Sequence, residues 1–451
     1  MPPHLAKLWN SIQSSLWLRP VLFVATGIVL GLVLPTLDRI WPGLGREVRS
    51  HELSIYIPTT PDSSREVLIS MAAALVTVMT VATSMTMVAV QLASTQYTPR
   101  LLGRFMADHD TQRVLGTYLL TVVYLLLLLS VVGTPEYEGQ KRDLPVLSLG
   151  VAMLLTLGCL LLLPHFLHHA GWSVQANTII SSIGREVIQE LDRLKLDEMR
   201  ELGEELPGPA GKSTTVTARE TGYVQLLDEE RLIAALPKEV HTVRLDVRTG
   251  DFLFPGLPLL SLWPPVPLTE RQRKRLHAAL AVGSTRTTQQ DVLYGVRQLV
   301  DMALKALSPA INDVTTSVMV INELGAVGRA VAHKRLLGQG WWMRRIRGVT
   351  LLRPGFGLAP FLQDAFGEIP LAASSQPRVI LRILEVLAQI ASVEQDATIR
   401  RMLVRTGRSV YAAVRLSEQR ERDMRLIDEL WLGLQQKEAP LSASLPCETV
   451  H

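Results

Sequence analysis

Small hydroxyl and amide side chains recur at helical spacing within an uncharged run from Val67 to Pro99. At about 100° of rotation per residue, they fall within a helical sector of roughly 80°. The set comprises Ser70, Ala73, Thr77, Thr80, Ser84, Gln91, Thr95 and Thr98. Hydroxyls and carboxamides can replace water around an ion or a polar solute, and small residues also let two helices approach closely. The pattern therefore predicts either the lining of a path or a packing surface between helices.

Gln91 favours a water-lined path or a seam between subunits, because a carboxamide is costly in lipid unless it meets water or a hydrogen-bonding partner. If several copies assembled with this face inward, Gln91, Thr95 and Gln96 would form a ring near one end of the helix. Arg100 and Arg104 would then lie at a cytoplasmic mouth and favour anions. The alternative is that both arginines extend to lipid head groups.

A second candidate site lies at a break between two predicted helices. Apolar residues recur at helical spacing from Asp291 to Leu307, and Ser308-Pro309 ends that helix. Asp301, Asn312 and Asp313 could gather at the break and bind a small ion or a polar ligand. Asn312 and Asp313 are also explained as a turn residue and the N-cap of the next helix, and we favour the cap.

Three histidines, His165, His168 and His169, end the fourth apolar segment. Their spacing of three and four residues places pairs of imidazoles on one helix face, which is also the spacing at which two imidazoles can hold a transition metal. No cysteine, aspartate or glutamate lies nearby in the sequence to complete a ligand set. We therefore predict no metal site and no cofactor.

The sequence carries no motif of an enzyme active site. It has no nucleophile elbow, no glycine-rich phosphate loop, no zinc-ligand spacing and no paired acid motif. Its two cysteines, Cys159 in an apolar segment and Cys447 in a polar tail, offer no disulfide framework. We therefore expect a protein that is not an enzyme and that has no catalytic residues.

The formal net charge is +4, and basic side chains cluster at 271–275 and at 344–347. Such clusters could touch anionic lipid head groups or nucleic acid, but a solvated helix face explains them better. We therefore predict a lipid bilayer as a partner and no nucleic acid.

Four apolar segments place the first part of the chain, residues 1–170, in a membrane. The segments cover residues 20–37, 67–92, 114–134 and 144–163. Each is about long enough to cross a hydrocarbon core of roughly 30 Å. Ser63 and Glu66 have the spacing of a capping box at the start of the second helix. Basic residues near the ends of the segments are biased to one side, which predicts that both termini lie in the cytoplasm.

Short alternating apolar segments over residues 213–266 predict strands. The segments that begin at Thr221-Gly222 and at Gly250-Asp251 resemble the small barrel-sandwich domains of biotinyl and lipoyl carriers and of membrane-fusion adaptors. The modified lysine of the carriers is absent, because Leu232 to Leu236 and Lys238 occupy the region between the two halves. The resemblance therefore implies a packing role and not a carrier function.

The remaining regions are predicted to be mainly helical. Residues 171–206 are expected to continue the last span as an unbroken helical extension, before a linker rich in proline and glycine. Residues 268–436 predict an α-helical cytoplasmic domain in which 338–354 is irregular, and residues 437–451 predict a disordered tail. The predicted fold is thus an α-helical membrane domain of four transmembrane helices, a small β barrel-sandwich-like domain and an α-helical cytoplasmic domain.

Two stretches together resemble the DUF2254 family of predicted bacterial membrane proteins over nearly the whole chain. The first runs from Ala89 to Arg100 (AVQLASTQYTPR), and the second from Gly295 to Asp313 includes GVRQLVD and ALSPAIND. The family tends to have Pro and then Thr-Ala soon after Asn-Asp, whereas this chain has Val314-Thr315-Thr316-Ser317. The resemblance implies a bacterial inner membrane and little about activity, because the family is named for an unknown function.

Two functional hypotheses follow from the sequence. The first is a homo-oligomeric ion channel or transporter-like protein, in which the second span lines a path. The second is a membrane-anchored scaffold or sensor, in which the spans only tether the chain and the cytoplasmic domain binds a ligand or a partner protein. They differ at Gln91, which has a solute-facing role only under the first hypothesis.

Overall fold

The structure, a computed structural model, describes residues 18–40, 60–98, 105, 108–132, 145–194, 199–202, 205, 207–336, 340–415 and 421–437. The chain divides into two compact units. The described residues up to Gln175, except Gln96–Thr98, form the first unit. Gln96–Thr98 and the described residues from Ala176 onward form the second unit.

Four long apolar helices make up the first unit: α1 (Leu18–Ile40), α2 (Pro61–Gln96), α3 (His109–Val132) and α4 (Val146–Ser173). All four are long and apolar enough to cross a membrane, judged by length and composition. The prediction of four apolar helices is confirmed, and each helix extends beyond its predicted segment at one or both ends. At 1.5 Å per residue, the 36 residues of α2 span about 54 Å, far more than a bilayer core requires.

The capping prediction for α2 is wrong by three residues, because Ser63 lies inside the first turn. Thr60 precedes the helix, and its Oγ1 accepts a hydrogen bond from the Ser63 amide at 3.2 Å. The Ser63 Oγ in turn accepts from the Thr60 amide at 3.3 Å. This reciprocal pair satisfies two amides that would otherwise be free at the helix start, and Pro61 suits the first helical position.

The core of the first unit is apolar and contains a few buried hydroxyl groups. Leu75 of α2, Leu125 of α3 and Leu149 of α4 belong to one cluster of buried side chains. Asp38, near the end of α1, accepts hydrogen bonds from the amides of Leu147 and Ser148 at 3.1 and 3.0 Å. A carboxylate at this position satisfies free amides in the first turn of α4 and interacts favourably with the helix dipole.

The predicted unbroken helical extension over 171–206 is also wrong. Helix α4 ends at Ser173, where Val174 and Gln175 form a turn, and the Gln175 amide donates to the carbonyl of Trp172 at 3.2 Å. A separate helix, α5 (Ala176–Arg193), follows and belongs to the second unit. Three isoleucines of α5 are buried there, so tertiary packing determines where the new helix starts.

The second unit contains two sheets built from nine described strands. The strands are β1 (Arg200–Glu201), β2 (Thr214–Thr217), β3 (Gly222–Leu227), β4 (Thr242–Leu245), β5 (Phe252–Leu253), β6 (Pro258–Trp263), β7 (Leu280–Gly283), β8 (Trp341–Ile346) and β9 (Val349–Pro354). One sheet has the order β1-β8-β9-β4-β6-β2 and the other β5-β3-β7. Val243, Leu260 and Leu280, from three of these strands, share one apolar core.

The expected barrel-sandwich domain is corrected in two respects. The described strands do not close into a barrel, and the six-stranded sheet includes strands from outside residues 213–266. Strand β4 pairs in parallel with β9, whose hairpin with β8 occupies the segment predicted to be irregular. Arg347 and Gly348 form the turn with positive φ angles of 50° and 84°, as a two-residue hairpin turn of this type requires.

The helices of the second unit follow the predicted apolar periodicity closely. Besides α5, they are α6 (Glu229–Ala234), α7 (Glu270–His277), α8 (Val292–Ala306), α9 (Val314–His333), α10 (Leu358–Phe366), α11 (Ile369–Ala372), α12 (Pro377–Val393), α13 (Ala397–Arg415) and α14 (Glu421–Gln436). The helix predicted over 397–434 is therefore described as two helices, with residues 416–420 outside the described part. Of the predicted tail, only Lys437 is described.

Glycine allows close packing where α5 meets α8. A Cβ atom added at Gly295 of α8 would clash with Cγ2 of Val187 on α5. Val187 is itself 2% exposed and has little room to move. Helix α5 also packs on α9, so this contact fixes how three helices of the second unit fit together.

We expect Gly295→Ala to destabilise the protein by about 1–3 kcal/mol, because overpacking against Val187 exceeds the helix-propensity gain of roughly 1 kcal/mol. Gly433→Ala is the matched control, since no described atom lies within 4 Å of an added Cβ in α14. The control should be neutral or more stable. Denaturant unfolding of the full chain in detergent measures both, and equal effects of the two substitutions would contradict the packing argument.

Candidate functional site

The polar side chains of α2 lie on a face that packs against nothing within the described chain. These exposed residues are Ser70, Thr77, Thr80, Ser84, Gln91 and Thr95, which we call the polar face. Leu68, Leu75 and Ala82 form the packed face and are each no more than 1% exposed. At about 100° per residue, the two faces lie roughly 180° apart. The polar face therefore does not serve packing among the described helices of one chain.

The threonine hydroxyls of the polar face are hydrogen-bonded within their own helix. Thr77 donates to the carbonyl of Ala73 at 3.0 Å, and Thr80 donates to the carbonyl of Val76 at 2.9 Å. Thr95 donates to the carbonyl of Gln91 at 3.0 Å. These donors need neither water nor a neighbouring protein, so the threonines alone do not require a polar environment.

Ser70, Ser84 and Gln91 differ from the threonines. Within the described part of the chain, their side chains have no hydrogen-bond partner. The Gln91 carboxamide carries two donors and an acceptor, so it is the most costly group to expose to lipid. The need for a polar neighbour is therefore concentrated at three positions of the face.

The C-terminal end of the face differs from the sequence prediction. Thr98 is 7% exposed, lies beyond the end of α2 and belongs to the second unit, so it is not part of the polar face. Gln96 is the last residue of α2 and is exposed. Arg100 and Arg104 lie outside the described residues. The arrangement of the predicted mouth therefore stays a prediction.

The turn between α8 and α9 has the capping geometry that the sequence favours. Asp313 is the N-cap of α9, and its side chain accepts from the Thr316 amide at 3.0 Å. Asn312 has a φ of 50°, a conformation that asparagine tolerates better than most residues. Its Oδ1 accepts a hydrogen bond from Gln376 Nε2 at 3.1 Å. The interpretation of Asp313 as a cap is confirmed.

Asp301 makes a different contact from the other two predicted ligand residues. Its carboxylate accepts from Arg297 Nε at 2.9 Å, one helical turn away on α8. Arg297 also pairs with Glu368, at the start of α11. Asp301 thus belongs to an ion-pair cluster, whereas Asn312 and Asp313 belong to a turn. Whether any of the three binds a ligand stays a prediction.

Tyr97 is a residue of this region that the sequence reasoning did not select. Tyr97 and Asp313 belong to the same unit, although one follows α2 and the other begins α9. Burial raises the pKa of the Tyr97 phenol, and the negative charge of the Asp313 carboxylate raises it further. The end of the first family stretch is thus close to the end of the second. The sequence feature that could have pointed to this residue is its place directly after the end of α2.

The histidines at the end of α4 form a polar cluster with Asp108. His169 Nε2 lies 2.9 Å from an Asp108 carboxylate oxygen, and His165 stacks on His169 with ring centroids 6.5 Å apart. Burial opposes ionisation of Asp108, but hydrogen bonds from Thr111 and His169 outweigh it and lower the pKa of Asp108. Among the described residues, no group of three His, Cys, Asp or Glu side chains is placed to hold a metal ion.

Two substitutions separate the effect of the Asp313 cap on stability from the effect of its charge on the pKa of Tyr97. Asp313→Ala should cost about 1–2 kcal/mol of stability because the N-cap acceptor is lost, whereas Asp313→Asn should be nearly neutral because asparagine caps equally well. Both substitutions should lower the pKa of Tyr97. Denaturant unfolding gives the stability, and NMR of ring-labelled tyrosine gives the pKa, with Tyr97→Phe assigning the signal. An unchanged Tyr97 titration would contradict the proximity of the two groups.

The family resemblance is confirmed by comparison with known proteins. Residues 13–389 match the family described as "Predicted membrane protein (DUF2254)". Uncharacterized proteins of Mycobacterium bovis and Mycobacterium tuberculosis are 29% identical over 409 residues, which is 88% of this chain and 75% of each relative. No solved structure matches the chain significantly. Because the family match covers most of the sequence, the protein belongs to the DUF2254 family of predicted membrane proteins.

Proposed function

We propose that this membrane protein forms a homo-oligomer in which the polar faces of α2 meet and line a path for an ion or a small polar solute. The observation that carries the proposal is the carboxamide of Gln91, which has no hydrogen-bond partner among the described residues and lies on a face opposite to the one that packs against them. A buried amide without a hydrogen bond costs roughly 2–7 kcal/mol, depending on the reference state. A second copy of the chain or a row of water molecules could hydrogen-bond to the carboxamide and remove that cost.

The spacing of the polar face supports packing between copies of α2. Ser70, Thr77, Ser84 and Gln91 follow one another at intervals of seven residues. A seven-residue repeat keeps the same positions on a seam between helices that cross at about 20° with a left-handed supercoil. Small residues at such positions let helix backbones approach closely in a membrane.

The scaffold or sensor is the second candidate, and the threonine geometry favours it. Because Thr77, Thr80 and Thr95 donate to their own helix, most of the polar face is compatible with lipid or with simple packing. More than half of the described chain lies in the second unit, which offers ample surface for a partner. Under both candidate functions, we place the protein in the bacterial inner membrane with both termini in the cytoplasm, because of the bias of basic residues.

Ion flux separates the two candidates. Purified protein in liposomes should pass K⁺ or Cl⁻ above background, and Gln91→Leu should change the flux roughly tenfold if the carboxamide contributes about 1.4 kcal/mol to solute passage. Met85→Leu is the matched control, since Met85 is 40% exposed on the same helix but lies about 120° around it from Gln91. Protein that passes no ion at all would end the channel proposal and leave the scaffold.

Cross-linking tests the assembly without relying on flux. In a background with Cys447→Ser, we expect Ser84→Cys to form a disulfide-linked dimer in the membrane. Met85→Cys should not, although Met85 is adjacent and 40% exposed, because it lies about 100° around the helix. The expected measurement is a dimer band on non-reducing gels for Ser84→Cys only. Equal cross-linking at both positions would indicate random collision and contradict a specific seam.

A further inference from the structure

A cavity of about 380 Å³ lies in the second unit between α7, β7 and the segment before β3. Leu253, Leu259, Leu280 and Val282 form much of its apolar wall. Arg219, Lys274 and His277 also line it and carry basic groups, and the lining includes one acidic residue, Glu220. Small-molecule sites in proteins are typically of roughly 300–1,000 Å³, with apolar walls and a few polar groups. The cavity therefore has the size and lining of a ligand site.

The basic groups at this cavity differ in how far they are already paired. Arg219 Nη2 binds both carboxylate oxygens of Glu270, at 3.0 and 3.1 Å, so its charge is largely compensated. Lys274 is exposed and forms no ion pair within the described part of the chain, although its charge helps to lower the pKa of Glu270, one turn earlier on α7. Helix α7 also carries Arg271, Arg273 and Arg275, none of which lines the cavity. Lys274 is thus the cation available to a ligand.

His277 is partly buried at the cavity, among charges of both signs. Burial lowers the pKa of His277, and the charges of Arg219 and Arg273 lower it further. Glu220 and Glu270 act in the opposite direction but do not reverse the shift. Burial thus disfavours the charged imidazole in the free protein, whereas an anion beside the ring would favour it.

We propose that this cavity binds an amphiphilic anion, whose phosphate or carboxylate group lies between Lys274 and His277 and whose short apolar chain contacts Leu253, Leu259 and Leu280. Ammonium and imidazole groups donate charge-assisted hydrogen bonds to such a head group. Burial of the chain on leucine side chains adds the hydrophobic contribution. The site lies within the second unit and is independent of the polar face of α2.

Binding of the anion is coupled to protonation of His277. A negative charge beside the imidazole favours the charged form, so the complex takes up a proton where the free protein does not. Affinity for a carboxylate therefore rises as the pH falls through the pKa of His277, whereas a phosphate monoester, with a second pKa of about 6, loses charge over the same range. Arg219 and Arg273 oppose protonation of His277, and Glu220 and Glu270 favour it.

The test uses the full chain, labelled with ¹⁵N-histidine, in nanodiscs of zwitterionic lipid. Octyl phosphate should shift the His277 ring signals, which His277→Gln assigns, and should raise the imidazole pKa. Inorganic phosphate should bind roughly tenfold more weakly, because it lacks the apolar chain, and octanol should leave the imidazole pKa unchanged. Nanodiscs that contain phosphatidic acid distinguish a membrane lipid from a soluble anion as the source of the head group.

Two variants separate the charge from the cavity. Lys274→Gln should weaken octyl phosphate roughly tenfold, whereas Arg271→Gln, on the same helix but outside the cavity, should not. Ala278→Leu should fill the cavity and abolish octyl phosphate binding without affecting inorganic phosphate. The proposal is overturned if no anionic probe shifts His277, or if Lys274→Gln and Arg271→Gln have the same effect.

Discussion

A polar group inside a bilayer must have a hydrogen-bond partner, and α2 meets that constraint in two different ways. Its threonines meet it locally, since each hydroxyl donates to a carbonyl four residues earlier in the helix. Gln91 does not meet it locally, because its carboxamide has no hydrogen-bond partner within the described part of the chain. The requirement for an external hydrogen-bond partner thus comes from very few side chains, although the polar face extends over several helical turns.

Helix α2 lies in the first unit except for its last residue, Gln96, which belongs to the second unit. Residues up to Thr95 belong to the first unit, whereas Gln96–Thr98 belong to the second. Thr98 is buried there, and Tyr97 lies near the N-cap of α9. The charge of the Asp313 carboxylate contributes to the raised pKa of Tyr97, so the ends of the two stretches that carry the family resemblance lie near each other within the second unit.

The sequence predicted features that depend on local chemistry and missed those that depend on distant partners. The apolar periodicity of α8 and the cap at Asp313 are local, and both predictions are confirmed. The β8–β9 hairpin was missed, although Arg347-Gly348 between two runs of strand-forming residues is a hairpin signal. The parallel pairing of Thr242 with Thr350 has no local signal, because it joins segments far apart in the chain.

The predicted sites show the same division. The spacing of the polar face was readable from Ser70 to Thr95, because a helix converts spacing into direction. The pairing of Asp301 with Arg297 is a local contact between residues four apart on α8, whereas the sequence could not show that Arg297 would also pair with Glu368 or that Asn312 would bind Gln376. Nor could it show a cavity whose wall combines leucines from β5, β6 and β7. Such groupings arise only when strands and helices pack.

The direction of the threonine hydrogen bonds also bears on what a path along α2 would select. A hydroxyl that donates to its own helix has no proton left to offer outward, but its oxygen lone pairs remain available as acceptors. A path lined by Thr77, Thr80 and Thr95 would therefore present oxygen atoms, as sites for cations and for water do. Arg100 and Arg104, placed at a mouth, would instead favour anions. Gln91 can interact with either cations or anions, because its carboxamide both accepts and donates hydrogen bonds. Selectivity in such an assembly would thus depend on which group forms the narrowest point, the Gln91 ring or the arginine mouth, and not on the threonine stripe that first identifies the helix.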